Sequence, residues 1–164
     1  MPMDSLRALL AHELQDLYSA EQQLVEALPK MEQGATDPDL KQAIRDHLKQ
    51  TRSHVDRLDN AFGALSISAS GEVCRGMQGL IEEGSKMLKE KGDAAVRDAG
   101  IISAAQRIEH YEIAGYGSAR TFAQKLGENG VAELLQKTLD EEGETDERLT
   151  QLAKSKINVE AMAG

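Results

Sequence analysis

Residues 104–117 read Ala104-Ala-Gln-Arg-Ile-Glu-His-Tyr-Glu-Ile-Ala-Gly-Tyr-Gly117. Ala105, Ile108 and Tyr116 fall at helical spacing, and Glu109 and Glu112 lie on the same stripe. Burying carboxylates without partners costs several kcal/mol each. The stretch therefore predicts a helix inside a bundle whose interior holds something cationic.

The pattern extends in both directions. Ile101 and Ile102 before it, and Ala119 and Phe122 after it, make a third long helix over Asp93–Leu126, between Lys91-Gly92-Asp93 and the turn Gly127–Gly130. Helix four is expected over Val131–Ile157 on Leu135, Leu139, Leu149 and Leu152, with a frayed tail over about 158–164. Helix one reads from Asp4, as N-cap, to Gln33, with Leu6, Leu10, Leu14, Leu17, Leu24 and Leu28 as its stripe and Pro29 as a possible kink. After the turn Gly34-Ala35-Thr36-Asp37-Pro38, helix two runs over Pro38–Phe62, capped by Asp37. Gly63–Gly71 reads as a loop, and a shorter helix over 73–90 is weakened by Gly76, Gly79 and Gly84.

Helices one and two are joined tightly, as are three and four. The pairs are separated by about thirty residues that contain a helix of their own. That connectivity predicts a single all-α domain over 1–164: a ferritin-like four-helix bundle with one long crossover carrying an extra helix between helices two and three.

Composition agrees. Aromatics are 3% and Trp is absent, too few for a sandwich or barrel. The net charge of -9 argues against nucleic acid and anionic membrane as partners. One cysteine, Cys74, excludes an intrachain disulfide and a Cys-rich metal knuckle, and is expected to be inert. No apolar run approaches a membrane span, so the expected location is the cytoplasm.

At about 100° and 1.5 Å per residue, the other acidic stripe residues converge with Glu109 and Glu112. Glu21 lies between Leu17 and Leu24, and Glu142 between Leu135 and Leu149, with Asp146 one turn on. Helix two offers His54, with His47 and Gln50 on the same flank. Glu141, Glu144 and Glu147 read as a solvated face, and His110 as a surface residue. Di-iron bundles use a Glu from each of two helices and a Glu-x-x-His pair from each of the others. This chain gives an imperfect version, with Glu21 and Glu109 as the single ligands. The candidate ligands are thus Glu21, His54, Glu109, Glu112, Glu142 and Asp146, with His47 and Gln50 behind them. The oxygen-rich set suits a pair of iron ions, or manganese, rather than zinc. Tyr18 and Tyr111 are candidates to hydrogen-bond a ligand carboxylate.

The opening stretch, together with Asp16-Leu-Tyr-Ser-Ala-Glu-Gln-Gln-Leu24, Gly79-Leu-Ile-Glu-Glu-Gly84 and Thr138-Leu-Asp-Glu-Glu-Gly-Glu-Thr-Asp146, resembles the YciF/YciE family of bacterial stress proteins. The resemblance spans about residues 5–154. It implies a rubrerythrin-like fold, a homodimer, a di-metal centre and a role in stress. In that family the position of Gln50 is usually Glu, so one negative charge is missing here.

Two readings follow. The first is a di-iron or iron–manganese oxidoreductase-type centre, peroxidase- or ferroxidase-like. Glu109 and Glu142 would bridge the ions, and Glu21, His54, Glu112 and Asp146 would hold them terminally, with an external electron donor. The second is a non-catalytic homodimeric stress protein with a vestigial site.

Overall fold

The computed structural model describes residues 2–164, and every regular element among them is helical. α1 spans Leu6–Gly34, α2 Pro38–Leu65, α3 Arg75–Lys89, α4 Ala94–Lys125, α5 Asn129–Leu152 and α6 Asn158–Met162. A π-helical turn, Ala153–Ile157, joins the last two. α1, α2, α4 and α5 are the four long helices, packed as the hairpins α1–α2 and α4–α5, and α3 is the crossover helix.

Local chemistry sets the helix ends. Ser5, not Asp4, caps α1: its hydroxyl accepts the Ala8 N–H at 3.1 Å. α1 then runs through Pro29 to Gly34 as one helix. Asp37 caps α2 as expected, accepting the N–H groups of Asp39 and Leu40 at 2.8 and 3.0 Å, with Pro38 in the first turn. α2 continues beyond Phe62 and stops at Ser66, which takes the left-handed conformation with φ 53°.

The turn between α1 and α2 is bolted to α4. Buried Asp98 accepts the backbone N–H groups of Thr36 and Asp37 at 2.8 and 2.7 Å. Lys156 reaches Asp37 and Asp39 at 2.7 and 2.9 Å, fixing the end of the chain to the same corner. This explains why Asn158–Met162, expected to fray, forms a helical turn against α4. Of the crossover glycines, expected as a weakness, Gly76 allows a close approach. A Cβ on Gly76 would come within 2.6 Å of the Tyr111 ring.

Two apolar clusters fill the bundle. Leu24, Leu28, Leu40, Ile44, Met77, Ile102, Ile108 and Leu149 form one. Leu10, Leu14, Leu58, Phe62, Ala119 and Leu135 form the other. On each long helix the residues between these clusters are polar and buried: Glu21 on α1, His47, Thr51 and His54 on α2, Glu109 and Glu112 on α4, and Thr138 and Glu142 on α5. The bundle thus encloses a charged layer between two hydrophobic halves.

Candidate metal centre

Each long helix carries its ligand-type residues between stretches that pack into the two apolar clusters, so the helix axes are fixed by apolar packing on both sides of the layer. Two groups result. Glu21, His54 and Glu142 each bring one ligand atom within 4.8 Å of the others, and so do His47, Glu109, Glu112 and Glu142. Glu142 belongs to both.

In the first group the His54 ring has a carboxylate at each nitrogen. Nδ1 lies 3.0 Å from Glu21 Oε1 and 3.0 Å from Glu142 Oε1, and Nε2 lies 2.9 Å from Glu141 Oε2. Glu141 is held in turn by two N–H groups of Arg57, at 2.6 and 2.9 Å. Arg57 also donates to the Thr138 hydroxyl at 3.0 Å. The Tyr116 hydroxyl, fully buried, donates to Glu21 Oε1 at 2.7 Å.

The second group is less satisfied. His47 Nε2 stands 2.7 Å from Glu109 Oε1, but the pair lacks the alignment of a hydrogen bond. Both ring nitrogens of His47, both oxygens of Glu112, both of Glu142 and Oε2 of Glu109 have no hydrogen-bond partner.

These surroundings move the proton equilibria. Burial pushes the Glu109 carboxyl up to about 7; the neighbouring Glu142 carboxyl works against the rise, and the Glu21 charge adds to it. Burial and the Glu109 charge take Glu142 to about 7. Burial, Glu142 and Glu21 raise Glu112 well above the usual carboxylate range. Burial opposes a charged His54, but Glu142 and Glu21 outweigh it and carry the ring up to about 10. Burial keeps His47 low despite the same carboxylates. Burial would raise Glu141, yet Arg57 and His54 hold it down.

The donors fit a pair of divalent ions. Four carboxylates, Glu21, Glu109, Glu112 and Glu142, balance the charge of two such ions, and two imidazoles complete a nitrogen–oxygen set suited to iron or manganese. The unpartnered oxygens are what an ion would satisfy.

The remaining sequence candidates sit elsewhere. Asp146 stands outside both groups, at the edge of the layer, with Oδ2 3.3 Å from the exposed His110. Gln50 accepts a hydrogen bond from Thr145 at 3.2 Å. Tyr18 packs edge-on against Phe62, and Tyr111 donates to Asp16 at 2.7 Å and meets Cys74 Sγ at 3.1 Å. The hydroxyl that reaches a candidate ligand is that of Tyr116. It lies four residues after Glu112 on the same stripe, a spacing visible in the sequence. Glu141, expected on a solvated face, is instead half-buried between His54 and Arg57, because α2 presents both cationic side chains to it.

Residues 5–162 match the family model described as Domain of unknown function (DUF892). The chain belongs to the DUF892 family. It is 40% identical to Protein YciF of Escherichia coli (strain K12) over 162 residues, 98% of each chain. The crystal structure of that bacterium's stress protein YciF superposes with a TM-score of 0.92, over 95% of this chain and 99% of that one. YcfI of Rhodopseudomonas palustris is 39% identical with a TM-score of 0.87, covering 92% of this chain and 97% of that one. A Xanthomonas campestris protein at 22% identity and TM-score 0.74, covering 94% of each chain, shares the fold. No helix of the described residues is long and apolar enough to cross a membrane.

Proposed function

We propose that this DUF892 chain binds two divalent metal ions, iron first and manganese second, and uses them to reduce dioxygen or hydrogen peroxide in a bacterial stress response. The observation that carries the reading is the set of buried, unpartnered oxygens on Glu109, Glu112 and Glu142 beside two imidazoles. Such oxygens cost stability unless a cation satisfies them. The likeness to the E. coli stress protein YciF supports the physiological setting.

In this reading Glu142 would serve both metal positions. Glu21 and His54 Nδ1 complete one position, and His47, Glu109 and Glu112 the other. Asp146 lies outside, at the rim. The His54 Nε2–H would stay on Glu141, which Arg57 holds in place, leaving Nδ1 as the nitrogen that would hold a metal. Tyr116 orients Glu21 from the other side. A bound Fe(II) pair supplies two electrons: with two protons, dioxygen becomes hydrogen peroxide, or hydrogen peroxide becomes two waters, leaving two Fe(III). Renewed turnover needs an external electron donor. A homodimer belongs to the same reading, through the family resemblance.

Metal analysis of protein purified without chelator, followed by anaerobic titration of the apo chain with Fe(II), tests this. About two ions per chain are expected, with binding lost in Glu109→Ala and Glu142→Ala. A chain that arrives metal-free and takes up no Fe(II) overturns the reading and leaves a non-catalytic helical stress protein.

A further inference from the structure

The charged layer is not sealed on its His47 side. A cavity of about 20 Å³ lies between α1, α2, α4 and α5, with His47 and Glu109 of the charged layer among its lining residues. Its wall is apolar, with Leu28, Ile44, Ala105 and Leu149 among its residues. A cavity needs about 10–15 Å³ to hold one water, so this one has room for a very small molecule. The hydroxyl of Thr145, which also borders it, is already committed to Gln50.

We propose that this cavity is a binding and entry site for dioxygen, placing a small apolar gas beside the His47–Glu109 end of the centre. The assignment rests on the metal-centre reading above and selects between its two oxidants. Hydrogen peroxide crossing such a wall gives up its hydrogen bonds to water and finds no replacement until it meets His47 or Glu109. Dioxygen gives up none, and gains dispersion contacts with the aliphatic wall. A wall of Leu, Ile and Ala selects the apolar oxidant by the same physics that lets apolar cavities take up xenon.

Xenon tests the cavity without any metal. Under xenon pressure, crystals or NMR spectra of the apo chain should show the gas beside Ala105, and Ala105→Leu should abolish that signal. Ala105→Val serves as a milder filling if the leucine variant does not fold. In the Fe(II)-loaded protein the filled variant should bind the same amount of Fe(II) anaerobically. It should be oxidised by dioxygen about tenfold more slowly, the rate cost of displacing an overpacked core side chain. Oxidation by hydrogen peroxide should keep its wild-type rate. Absence of xenon from the wild-type cavity overturns the proposal, as does equal slowing with both oxidants. A chain that takes up xenon but binds no Fe(II) overturns the metal-centre reading instead, and with it the assignment of the gas as dioxygen.

Discussion

His47 and His54 lie two turns apart along α2, both buried, and their surroundings differ in kind. His54 has a carboxylate at each ring nitrogen, and one of these is anchored by Arg57. This end of the layer is a nearly complete ion-pair network without any metal. His47 has one misaligned carboxylate, and Glu112 beside it has no partner for either oxygen. That end holds buried polar atoms that no partner satisfies. An ion at the His54 end must displace a proton from a well-held imidazolium, whereas at the His47 end it relieves a cost already present. The His47 position should therefore fill first, and uptake at both positions should weaken as pH falls, because each holds protons that an ion must displace.

Glu142 is the one carboxylate common to both ends, so its removal should have the largest effect. Glu142→Gln should abolish uptake of both ions in an anaerobic Fe(II) titration. Glu112→Gln should abolish only the ion at the His47 end. It should also make the apo chain more stable in denaturant unfolding at neutral pH, because an amide replaces a carboxyl that resists ionisation. Loss of both ions in Glu112→Gln would show that the ends do not fill independently.

The same asymmetry gives the apo chain an unusual pH profile. Glu109 and Glu142, at about 7 against an ordinary 4.5, hold protons in the folded state that the unfolded state has released. Their stabilisation is complete below about pH 4.5 and is lost as pH rises through about 7. His54, raised from 6.5 to about 10, contributes in full below 6.5 and loses that contribution as pH rises through about 10. Both act in one direction. In chelator, unfolding free energy should fall by about 2 kcal/mol or more between about pH 5 and pH 9. Metal-loaded protein should show the reverse slope over the lower part of that range, because ions need deprotonated ligands. Parallel slopes for the two forms would break the comparison.

A smaller effect should separate the ends from outside. Arg57→Ala frees Glu141 and so loosens the His54 ring. Fe(II) affinity at the His54 end should drop about 10–100-fold, as is usual when the partner of a ligating histidine is disturbed. The His47 end should be unchanged in the same titration.

Most of this architecture is legible in the sequence because it is periodic. The caps Asp37 and Asp93, Pro38 and the leucine stripes place the helices to within a few residues, and the same stripes place Glu21, Glu109, Glu112 and Glu142 inside. What sequence periodicity does not carry is how one helix meets another. Glu141 follows the solvent-facing pattern of α5, yet α2 leans His54 and Arg57 over it. Tyr111 neighbours Glu112 in sequence but points about 100° away around α4, towards Asp16 and Cys74. Tyr116, one turn on from Glu112, was the better choice on spacing alone.

Asp146 is the sharpest case, because it is on the right stripe and still set apart. Four residues after Glu142, it shares that helix face but lies one turn further along α5, where the layer meets solvent. One oxygen faces His110, itself 68% exposed, and the other has no partner. Ligation of a buried ion by Asp146 would require the carboxylate to leave His110 and turn inward. The prediction is therefore the smallest of the set: Asp146→Asn should keep full Fe(II) stoichiometry, with stability within about 0.5 kcal/mol of wild type, as for ordinary surface substitutions. If the asparagine variant lost an ion, the aspartate would have to swing inward on loading, and the His47 end would owe its ion to a rim residue as well as to Glu109 and Glu112.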